Sequence, residues 1–371
     1  MIDQSRLLSL FEQLVSIDSP SFSERALCDF LQERLRALGL SPAEDSSAVR
    51  TGGNCGNLYT WVHGDPAFSP LLFCAHMDTV EPSRGKRMQI HEAGTITSSG
   101  ATVLGADDCA GIAAILEALT ALKQEGLPHR PLEILFTAAE EPYCAGIAEF
   151  DFSALRSKEA YVFDLSGPVG SAAYQAPTIL SFRATFCGRC AHAGFSPEDG
   201  IHAIKAAGLA VAQVPCGRTD ADTTVNFGTI SGGTADNIVP DRCVLTGEIR
   251  SFSDAKATAQ LKTISDALQS AAKACRATVE IQSKRHTVAY RIGLAYPVVK
   301  RFQCACAQLG LPEHLCTTHG GSDNNPLVQH GIRGLVLATA MNNCHSCSEY
   351  TTRDELARAA ELALFLMRSK E

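Results

Sequence analysis

Long apolar runs, blocks of like charge and an excess of basic residues are all missing from this 371-residue sequence. No apolar run approaches the roughly 18 residues that a membrane span requires. The formal net charge is -8 and the sequence pI is about 5.8, which argues against a surface for nucleic acid or for an anionic membrane. We therefore expect a soluble, cytoplasmic protein whose partners include neither nucleic acid nor a membrane.

We expect neither a secretory signal nor a disulfide framework in this sequence. Its first apolar residues, between Leu7 and Val15, recur at helical spacing and are interrupted by charge, which predicts an amphipathic helix. The fifteen cysteines are scattered, so most are expected to be reduced. The pairs Cys187/Cys190 and Cys344/Cys347 lie too far apart in the chain for the short spacing of a structural zinc site. We interpret the cysteines as small buried or half-buried thiols.

The first half of the chain alternates strand and helix patterns. The strands are predicted at about 56–63, 70–75, 131–137 and 160–164, and the helices at about 24–38 and 109–123. Strands separated by helices indicate an α/β fold with a mostly parallel central sheet. Ligands of such sheets gather at the carboxyl ends of the strands.

The middle of the chain has a different order of elements. Residues 176–286 are predicted to run strand, helix, strand, strand, helix, strand, which is the order of a ferredoxin-like α+β unit. The tail returns to strand and helix, with a final helix from about residue 353. We predict a discontinuous catalytic domain, formed by residues 1–175 and 287–371, into which residues 176–286 are inserted.

Acidic residues and histidines stand at the ends of several predicted strands and in the loops that follow. In chain order they are His76, Asp78, Asp107, Asp108, Glu140, Glu141, Asp164 and His345. Each alone has an ordinary explanation, such as a helix cap or a solvated turn. Together, such like charges would raise one another's pKa unless a cation neutralised them. Two histidines with several carboxylates suit Zn²⁺ or a related divalent ion, and two ions would use more of the acids than one.

Nine motifs occur in the order of a known family. The sequence resembles the dinuclear zinc exopeptidase and deacylase family, which includes aminoacylase, carboxypeptidase G and peptidase T, and it is most similar to the peptidase T-like branch. The resemblance covers essentially the whole chain and rests on the motifs HMDTV, LGADDCAG, FTAAEEPYCAG, VFD, AHAGFSPEDG, GGTADNIVP, GEIRSF, GGSDNN and NCHSCSEY.

The resemblance implies a role for each residue of the acidic and histidine set. His76, Asp107 and Asp164 would bind one metal ion, and Asp107 would bridge to a second ion. Glu141 and His345 would complete the site of that second ion. The two ions would be Zn²⁺, with Co²⁺ or Mn²⁺ as alternatives.

The resemblance also implies how the reaction would be catalysed. Asp78 would orient His76. Glu140 would be the general base that holds a metal-bridging water and later protonates the leaving amine.

The inserted unit resembles the lid and dimerisation domain of the family. By that resemblance, His192 would reach the active site of a partner subunit in a homodimer and stabilise the oxyanion. Asn237 and Arg250 would hold the backbone carbonyl or the carboxylate of the substrate. Gly320 and Gly321 would let the backbone approach the substrate closely.

The substrate is the least constrained part of the prediction. Aspartate at position 164 is typical of the aminopeptidase and dipeptidase branches, and a lid that must close favours small substrates. The resemblance therefore implies a tripeptide-type aminopeptidase acting on short peptides. An N-acyl-amino-acid amidohydrolase with the same metal site is the alternative. A catalytically silent binding or assembly relative is disfavoured because Glu140, His192 and every ligand are present.

Overall fold

The computed structural model describes residues 1–370. The chain forms two compact units. The first comprises Met1–Gln175, Arg291–Thr318 and the residues from Ser322 onward, and the second comprises Ala176–Tyr290 with His319–Gly321.

The bounds of the regular elements are as follows. The helices in the described part of the chain are α1 (Gln4–Ser16), α2 (Arg25–Ala37), α3 (Ser47–Thr51), α4 (Ala106–Glu125), α5 (Ala203–Gln213), α6 (Asp254–Ala274), α7 (Pro297–Leu309), α8 (Asn324–Gln329) and α9 (Arg353–Arg368). The strands are β1 (Ala43–Glu44), β2 (Leu58–Val62), β3 (Leu71–His76), β4 (Met88–Ile90), β5 (Thr95–Ser98), β6 (Leu132–Thr137), β7 (Glu159–Ser166), β8 (Ser171–Ala176), β9 (Thr178–Cys187), β10 (Gly217–Arg218), β11 (Thr223–Gly232), β12 (Arg242–Ser251), β13 (Thr278–Thr287), β14 (Tyr290–Arg291), β15 (His314–Thr317), β16 (Arg333–Met341) and β17 (Tyr350–Thr352).

The first unit is built on a large mixed sheet in the order β1-β2-β6-β3-β7-β16-β8-β14. The middle strands β6, β3, β7 and β16 run parallel to one another, whereas β2 and β8 pair antiparallel to their neighbours in that set. Every residue of β3 and β6 is buried, as expected for parallel strands that are covered on both faces. The predicted α/β fold with a mostly parallel sheet is confirmed.

Helix α4 fixes the position of the loop that precedes it. It is apolar on nearly all sides, and it packs on β3, β7, β16, α1 and α9. The fully buried carboxylate of Glu117, in the middle of this helix, is paired with Arg6 of α1 at 2.7 Å, which satisfies the charge inside the core. The N-terminal end of this helix, at Asp107 and Asp108, is therefore held rigidly next to β3.

A small sheet in the order β17-β5-β4 was not expected from the sequence. Its strands are only three or four residues long, and Thr351 pairs with Ile96 from a distant part of the chain. Strands this short carry little periodicity, so the sequence gives no basis for predicting them.

The second unit is a four-stranded antiparallel arrangement with two helices, extended by the short strand β10. Its elements run β9, α5, β11, β12, α6, β13, and its sheet order is β10-β11-β12-β9-β13. The helices cover one face, where Phe182, Leu245 and Ile264 contribute to a hydrophobic core. This is the predicted ferredoxin-like order. Strand β13 continues to Thr287, so the unit extends past residue 286.

Two further findings concern the chain as described. Within residues 1–370, all fifteen cysteines are unpaired. No helix among these residues has both the length and the apolar character that crossing a bilayer requires.

Candidate metal centre

The five predicted metal ligands lie at the carboxyl ends of adjacent parallel strands or at the start of the helix beside them. His76 ends β3, Asp164 lies near the end of β7, and Glu141 follows β6. His345 follows β16, and Asp107 is the second residue of α4. Because β6, β3, β7 and β16 are parallel neighbours, their ends meet at one edge of the sheet.

The side chains of these five residues converge on Asp107. His76 Nε2 lies 3.0 Å from Asp107 Oδ1 and 3.8 Å from Asp164 Oδ1. His345 Nε2 lies 3.3 Å from Asp107 Oδ2 and 3.1 Å from Glu141 Oε1. The two oxygens of Asp107 thus face two different histidines, each of which has a second carboxylate beside it.

The clustered carboxylates favour the binding of cations. Burial raises the pKa of Asp164 well above its usual range, and the nearby Asp107 carboxylate adds to that rise. Burial also raises the pKa of Glu141. Asp107 differs because hydrogen bonds from His345 and His76 outweigh its burial and lower its pKa. Bound divalent ions would let all three carboxylates ionise together.

The donor set fits such ions. Ligand atoms of His76, Asp107 and Glu141 lie within 4.8 Å of one another, as do those of His76, Glu140 and Asp164. Imidazole nitrogens and carboxylate oxygens are the ligands that Zn²⁺ and related ions take in catalytic sites. The residues present can therefore hold a divalent metal ion.

Asp78 connects the ring of His76 to the loop that carries the two glutamates. His76 Nδ1 lies 3.0 Å from the Asp78 carbonyl oxygen and 3.3 Å from its Oδ1. The buried Asp78 carboxylate also accepts hydrogen bonds from the backbone N–H groups of Glu140 at 2.8 Å and Glu141 at 3.1 Å, and from the Ser21 hydroxyl at 2.7 Å. These acceptors hold a proton on Nδ1 of His76, so Nε2 is the nitrogen that would bind a metal ion.

Asp108, next to Asp107, binds backbone N–H groups through its carboxylate. Its Oδ2 accepts a hydrogen bond from the His76 backbone N–H, and its Oδ1 accepts one from Gly111, both at 3.1 Å. A Cβ atom at Gly111 would overlap the Asp108 carboxylate and the Phe163 carbonyl oxygen. Glycine is therefore required there for α4 to pack against β7.

Sequence reasoning missed two buried glutamates next to the centre. Glu349 accepts hydrogen bonds from Gly105 N–H at 2.7 Å and Asp107 N–H at 2.9 Å, and burial raises its pKa to about 7. Glu24 accepts hydrogen bonds from the backbone N–H groups of Phe22 at 2.8 Å and Ala139 at 3.0 Å, and burial raises its pKa to about 7 as well. Glu349 lies inside the motif NCHSCSEY, which was the one available signal, whereas nothing in the sequence points to Glu24.

Several residues of the two ligand loops have left-handed backbone. Ala139 (φ 48°), Tyr143 (φ 65°) and Cys144 (φ 57°) lie around the paired glutamates, and Asn343 (φ 53°) and His345 (φ 62°) lie in the other loop. Residues other than glycine adopt this conformation only at an energetic cost, which the surrounding contacts must offset. The hydrogen bond from Ala139 N–H to Glu24 is one such contact.

His192 and Asn237 lie side by side in two exposed loops of the second unit. Ala193 N–H donates to the Asn237 carbonyl oxygen at 2.9 Å. His192 Nδ1 accepts hydrogen bonds from the N–H groups of Gly194 at 3.1 Å and Phe195 at 3.2 Å, and its ring stacks on Phe195. Neutral His192 therefore carries its proton on Nε2, which leaves that N–H as the hydrogen-bond donor.

Arg250 and the two predicted glycines also lie in the second unit. The guanidinium of Arg250 donates to Glu248 at 2.6 and 3.0 Å and to the His319 carbonyl oxygen at 2.8 Å. Gly320 and Gly321 follow His319 directly. A Cβ atom at Gly321 would press on Ile179 and Thr287 at 3.1 and 3.2 Å, so packing within the unit also accounts for that glycine.

Parts of both units match models of known protein families. Residues 58–176 match the model of peptidase family M28, and residues 175–275 match the model of a peptidase dimerisation domain. The chain is 37% identical to the protein YqjE of Bacillus subtilis strain 168 over 99% of both chains.

Two solved structures resemble the whole chain. A tripeptidase from Staphylococcus aureus Mu50 has a TM-score of 0.96 and 32% identity, with 99% of this chain and 98% of that chain covered. The aminopeptidase PepT from Bacillus cereus ATCC 10987 has a TM-score of 0.91 and 34% identity, with the same coverage. The predicted relationship to peptidase T is confirmed.

Proposed function

The chain belongs to the peptidase T-like branch of the M20 metallopeptidase family, and we propose that it is a metal-dependent aminopeptidase that releases the N-terminal residue of tripeptides. One observation carries this proposal. The two histidines and three carboxylates that meet around Asp107 form a ligand set beside Glu140, in a chain that matches a tripeptidase and an aminopeptidase along its full length. No contact in the site favours the deacylase alternative.

We assign the ligands of two divalent ions, Zn²⁺ in the first place, with Co²⁺ or Mn²⁺ as alternatives. His76, Asp107 and Asp164 would hold one ion, and Asp107, Glu141 and His345 would hold the other. The division of the Asp107 oxygens between the two histidines supports this assignment. Two such ions, when bound, polarise the scissile carbonyl and lower the pKa of a water molecule to about 7.

Glu140 is proposed as the general base and acid. It is only 8% exposed, and its backbone N–H is bound to Asp78, so its carboxylate is held at the edge of the ligand cluster. Burial raises the pKa of Glu140, and the Asp164 carboxylate adds to that rise in the ion-free protein. A carboxylate with a raised pKa accepts the proton of the attacking water and then delivers it to the leaving amine.

The second unit is proposed to supply substrate contacts and the dimer interface. The Nε2–H of His192 would stabilise the oxyanion in the active site of the partner subunit of a homodimer. Asn237 and Arg250 would bind the substrate's carbonyl or carboxylate, with Gly320 and Gly321 close to its backbone. The match to a peptidase dimerisation domain supports the homodimer. Sedimentation of a fully active monomer would contradict it.

We expect this enzyme to work in the cytoplasm, where thiols stay reduced. Cys109 and Cys144 are buried beside the proposed centre, next to Asp108 and Glu140 respectively. Oxidation of either thiol would add volume and polarity to a closely packed region.

A peptide panel tests the proposed activity. Protein loaded with Zn²⁺, and separately with Co²⁺ or Mn²⁺, would be offered matched di-, tri- and tetrapeptides with free or acetylated amino termini. We expect cleavage of the first peptide bond of free tripeptides, and a loss of about 100-fold or more in kcat for Glu140→Gln at unchanged metal content. Cleavage of acylated substrates alone would instead make the protein a deacylase. Near-normal turnover by Glu140→Gln would refute the proposed base.

A further inference from the structure

A further group of potential ligands adjoins the proposed centre and shares only Glu140 with the His76, Glu140 and Asp164 group. Ligand atoms of Glu140, Cys144 and Asp323 all lie within 4.8 Å of one another. Cys144 Sγ is 3.4 Å from Glu140 Oε1. Asp323 and Cys144 are each 1% exposed and Glu140 is 8% exposed, so this group is buried.

The local backbone brings Glu140 and Cys144 together. Tyr143 and Cys144 both have left-handed φ angles, and the Cys144 N–H donates to the Glu140 carbonyl oxygen at 2.5 Å. The chain therefore turns back within four residues, and it points the thiol at the carboxylate of the residue proposed as general base.

Asp323 offers an unused oxygen to the same group. The Thr137 hydroxyl donates to its Oδ2, and the Cys74 thiol lies 3.9 Å from that same oxygen. Asp323 Oδ1 is buried and has no hydrogen-bond partner. Burying a carboxylate oxygen without a hydrogen-bond partner costs free energy unless a ligand binds that oxygen. Because the Thr137 hydroxyl binds Oδ2 of Asp323, Oδ1 is available to a ligand.

We propose that Glu140, Cys144 and Asp323 form a third, inhibitory site for a thiophilic divalent cation such as Zn²⁺. One thiolate and two carboxylates are ordinary zinc ligands, and a water molecule can complete the tetrahedron. An ion bound there holds the carboxylate of Glu140, which can no longer accept a proton. The inhibitory consequence rests on the function proposed above, whereas the binding of the ion does not.

The third site should bind its metal ion with lower affinity than the two histidine-containing sites. Binding converts the Cys144 thiol to a thiolate, forms an S–Zn bond and releases one proton to solvent, without any change of oxidation state. Burial raises the pKa of Cys144, and the nearby Glu140 carboxylate adds to that rise, so displacing the proton costs binding energy. The site should therefore fill only after the histidine-containing sites. Mn²⁺ should not fill it, because Mn²⁺ prefers oxygen ligands.

The binding test uses the intact protein already holding two equivalents of zinc. Equilibrium dialysis against free Zn²⁺ would count further ions, and added Co²⁺ would report thiolate ligation through its near-ultraviolet charge-transfer band. The proposed resident ligands contain no sulfur, so exchange of Co²⁺ into those sites gives no such band. We expect a third zinc equivalent and a thiolate band, and both should be lost in Cys144→Ala.

Cys306→Ala is the matched control, because Cys306 is equally buried, on α7, and belongs to none of the three ligand groups. It should retain both signals, and thermal unfolding would verify that both variants fold. In turnover assays, Cys144→Ala should raise the inhibitory zinc concentration by at least about tenfold, since losing a direct ligand exceeds the usual loss of an outer-shell partner. Binding of only two equivalents, or a band that survives in Cys144→Ala, would overturn the proposal. If no peptide is hydrolysed, the proposed function fails while the stoichiometry and the band still decide this site.

Discussion

Replacing Asp78 with asparagine exchanges one carboxylate oxygen of a fully buried side chain for an amide group. In the structure, Oδ1 of Asp78 accepts a hydrogen bond from Glu140 N–H and lies near His76 Nδ1. Its Oδ2 accepts hydrogen bonds from Glu141 N–H and from the Ser21 hydroxyl. An asparagine has only one acceptor oxygen, so two of these donors would face an NH₂ group. The Ser21 hydroxyl can rotate and accept a hydrogen bond, but a backbone N–H cannot.

The magnitude follows from which donor is left without an acceptor. The favoured orientation of the amide keeps its oxygen on Glu140 and His76, and it turns the NH₂ toward Ser21 and Glu141. One buried backbone N–H, that of Glu141, then loses its acceptor, which should cost about 1–3 kcal/mol of unfolding free energy. The loss of negative charge behind His76 and of the fixed loop should weaken metal binding about 10- to 100-fold.

Three measurements on Asp78→Asn check this reasoning. Urea unfolding of the metal-free protein gives the stability, competition with a chromophoric chelator gives the zinc affinity, and turnover of a free tripeptide gives kcat. Asp151→Asn is the control, because Asp151 accepts from Ser153 N–H at 3.0 Å at an exposed position, and it should change stability by less than about 0.5 kcal/mol. Zinc affinity within twofold of the wild type, together with unchanged stability, would refute the proposed role of Asp78.

Burial raises the pKa of Glu24 from 4.5 to about 7, so the folded metal-free protein should lose up to about 3 kcal/mol of stability as pH rises from 4.5 to 7. Glu24→Gln should remove that decline in urea unfolding, since its amide oxygen can keep both backbone donors. His192→Ala should lower kcat by about 100- to 1000-fold at unchanged zinc content, because the proposed oxyanion donor is lost. Zinc at about 100 times its Kd should stabilise the metal-free protein by about 2.7 kcal/mol in thermal or urea unfolding.

Each of these predictions has a contradicting result. A pH dependence of stability that is the same in Glu24→Gln and the wild type would show that Glu24 does not hold a proton near neutral pH. Full turnover by His192→Ala would remove His192 from the catalytic machinery. A metal-free protein that gains no stability from zinc would mean that the clustered carboxylates are not neutralised by the ion. His202→Ala is a suitable control for His192→Ala, because His202 is an exposed histidine that caps α5.

The central strands could be predicted from the sequence because their burial leaves a direct pattern. Strands β3, β6 and β7 are apolar runs bounded by turn residues, and the polar residues at their ends are conspicuous for that reason. This pattern draws attention to the acidic residues and histidines at the strand ends, since parallel strands bring their carboxyl ends to one edge. The choice of ligands among them comes from the resemblance to the family. The strand pattern therefore predicts that the paired glutamates of the loop after β6 lie near His76.

The surroundings of the ligands could not be predicted in the same way. Glu24, Glu349 and Asp323 act on backbone N–H groups or single hydroxyls that lie far away in the chain. A backbone N–H is the same group in nearly every residue, so the partner of a buried carboxylate leaves no mark on the sequence. The motif GGSDNN drew attention to its two glycines, whereas the structure places its aspartate beside Glu140 and Cys144.

The hydrogen bonds around the centre share one pattern, in which a buried carboxylate binds the backbone of a residue of the site. Buried carboxylates accept hydrogen bonds from the backbone N–H groups of residues in the site, with Asp108 bound to His76, Glu349 to Asp107, and Asp78 to Glu140 and Glu141. This arrangement fixes the ligand backbone, and it also surrounds the ligands with further negative charge. The added charge favours cations but opposes ionisation of the acids when the site is empty. Rigid positioning of the ligands and dependence of stability on the bound ion therefore have the same physical origin in this protein.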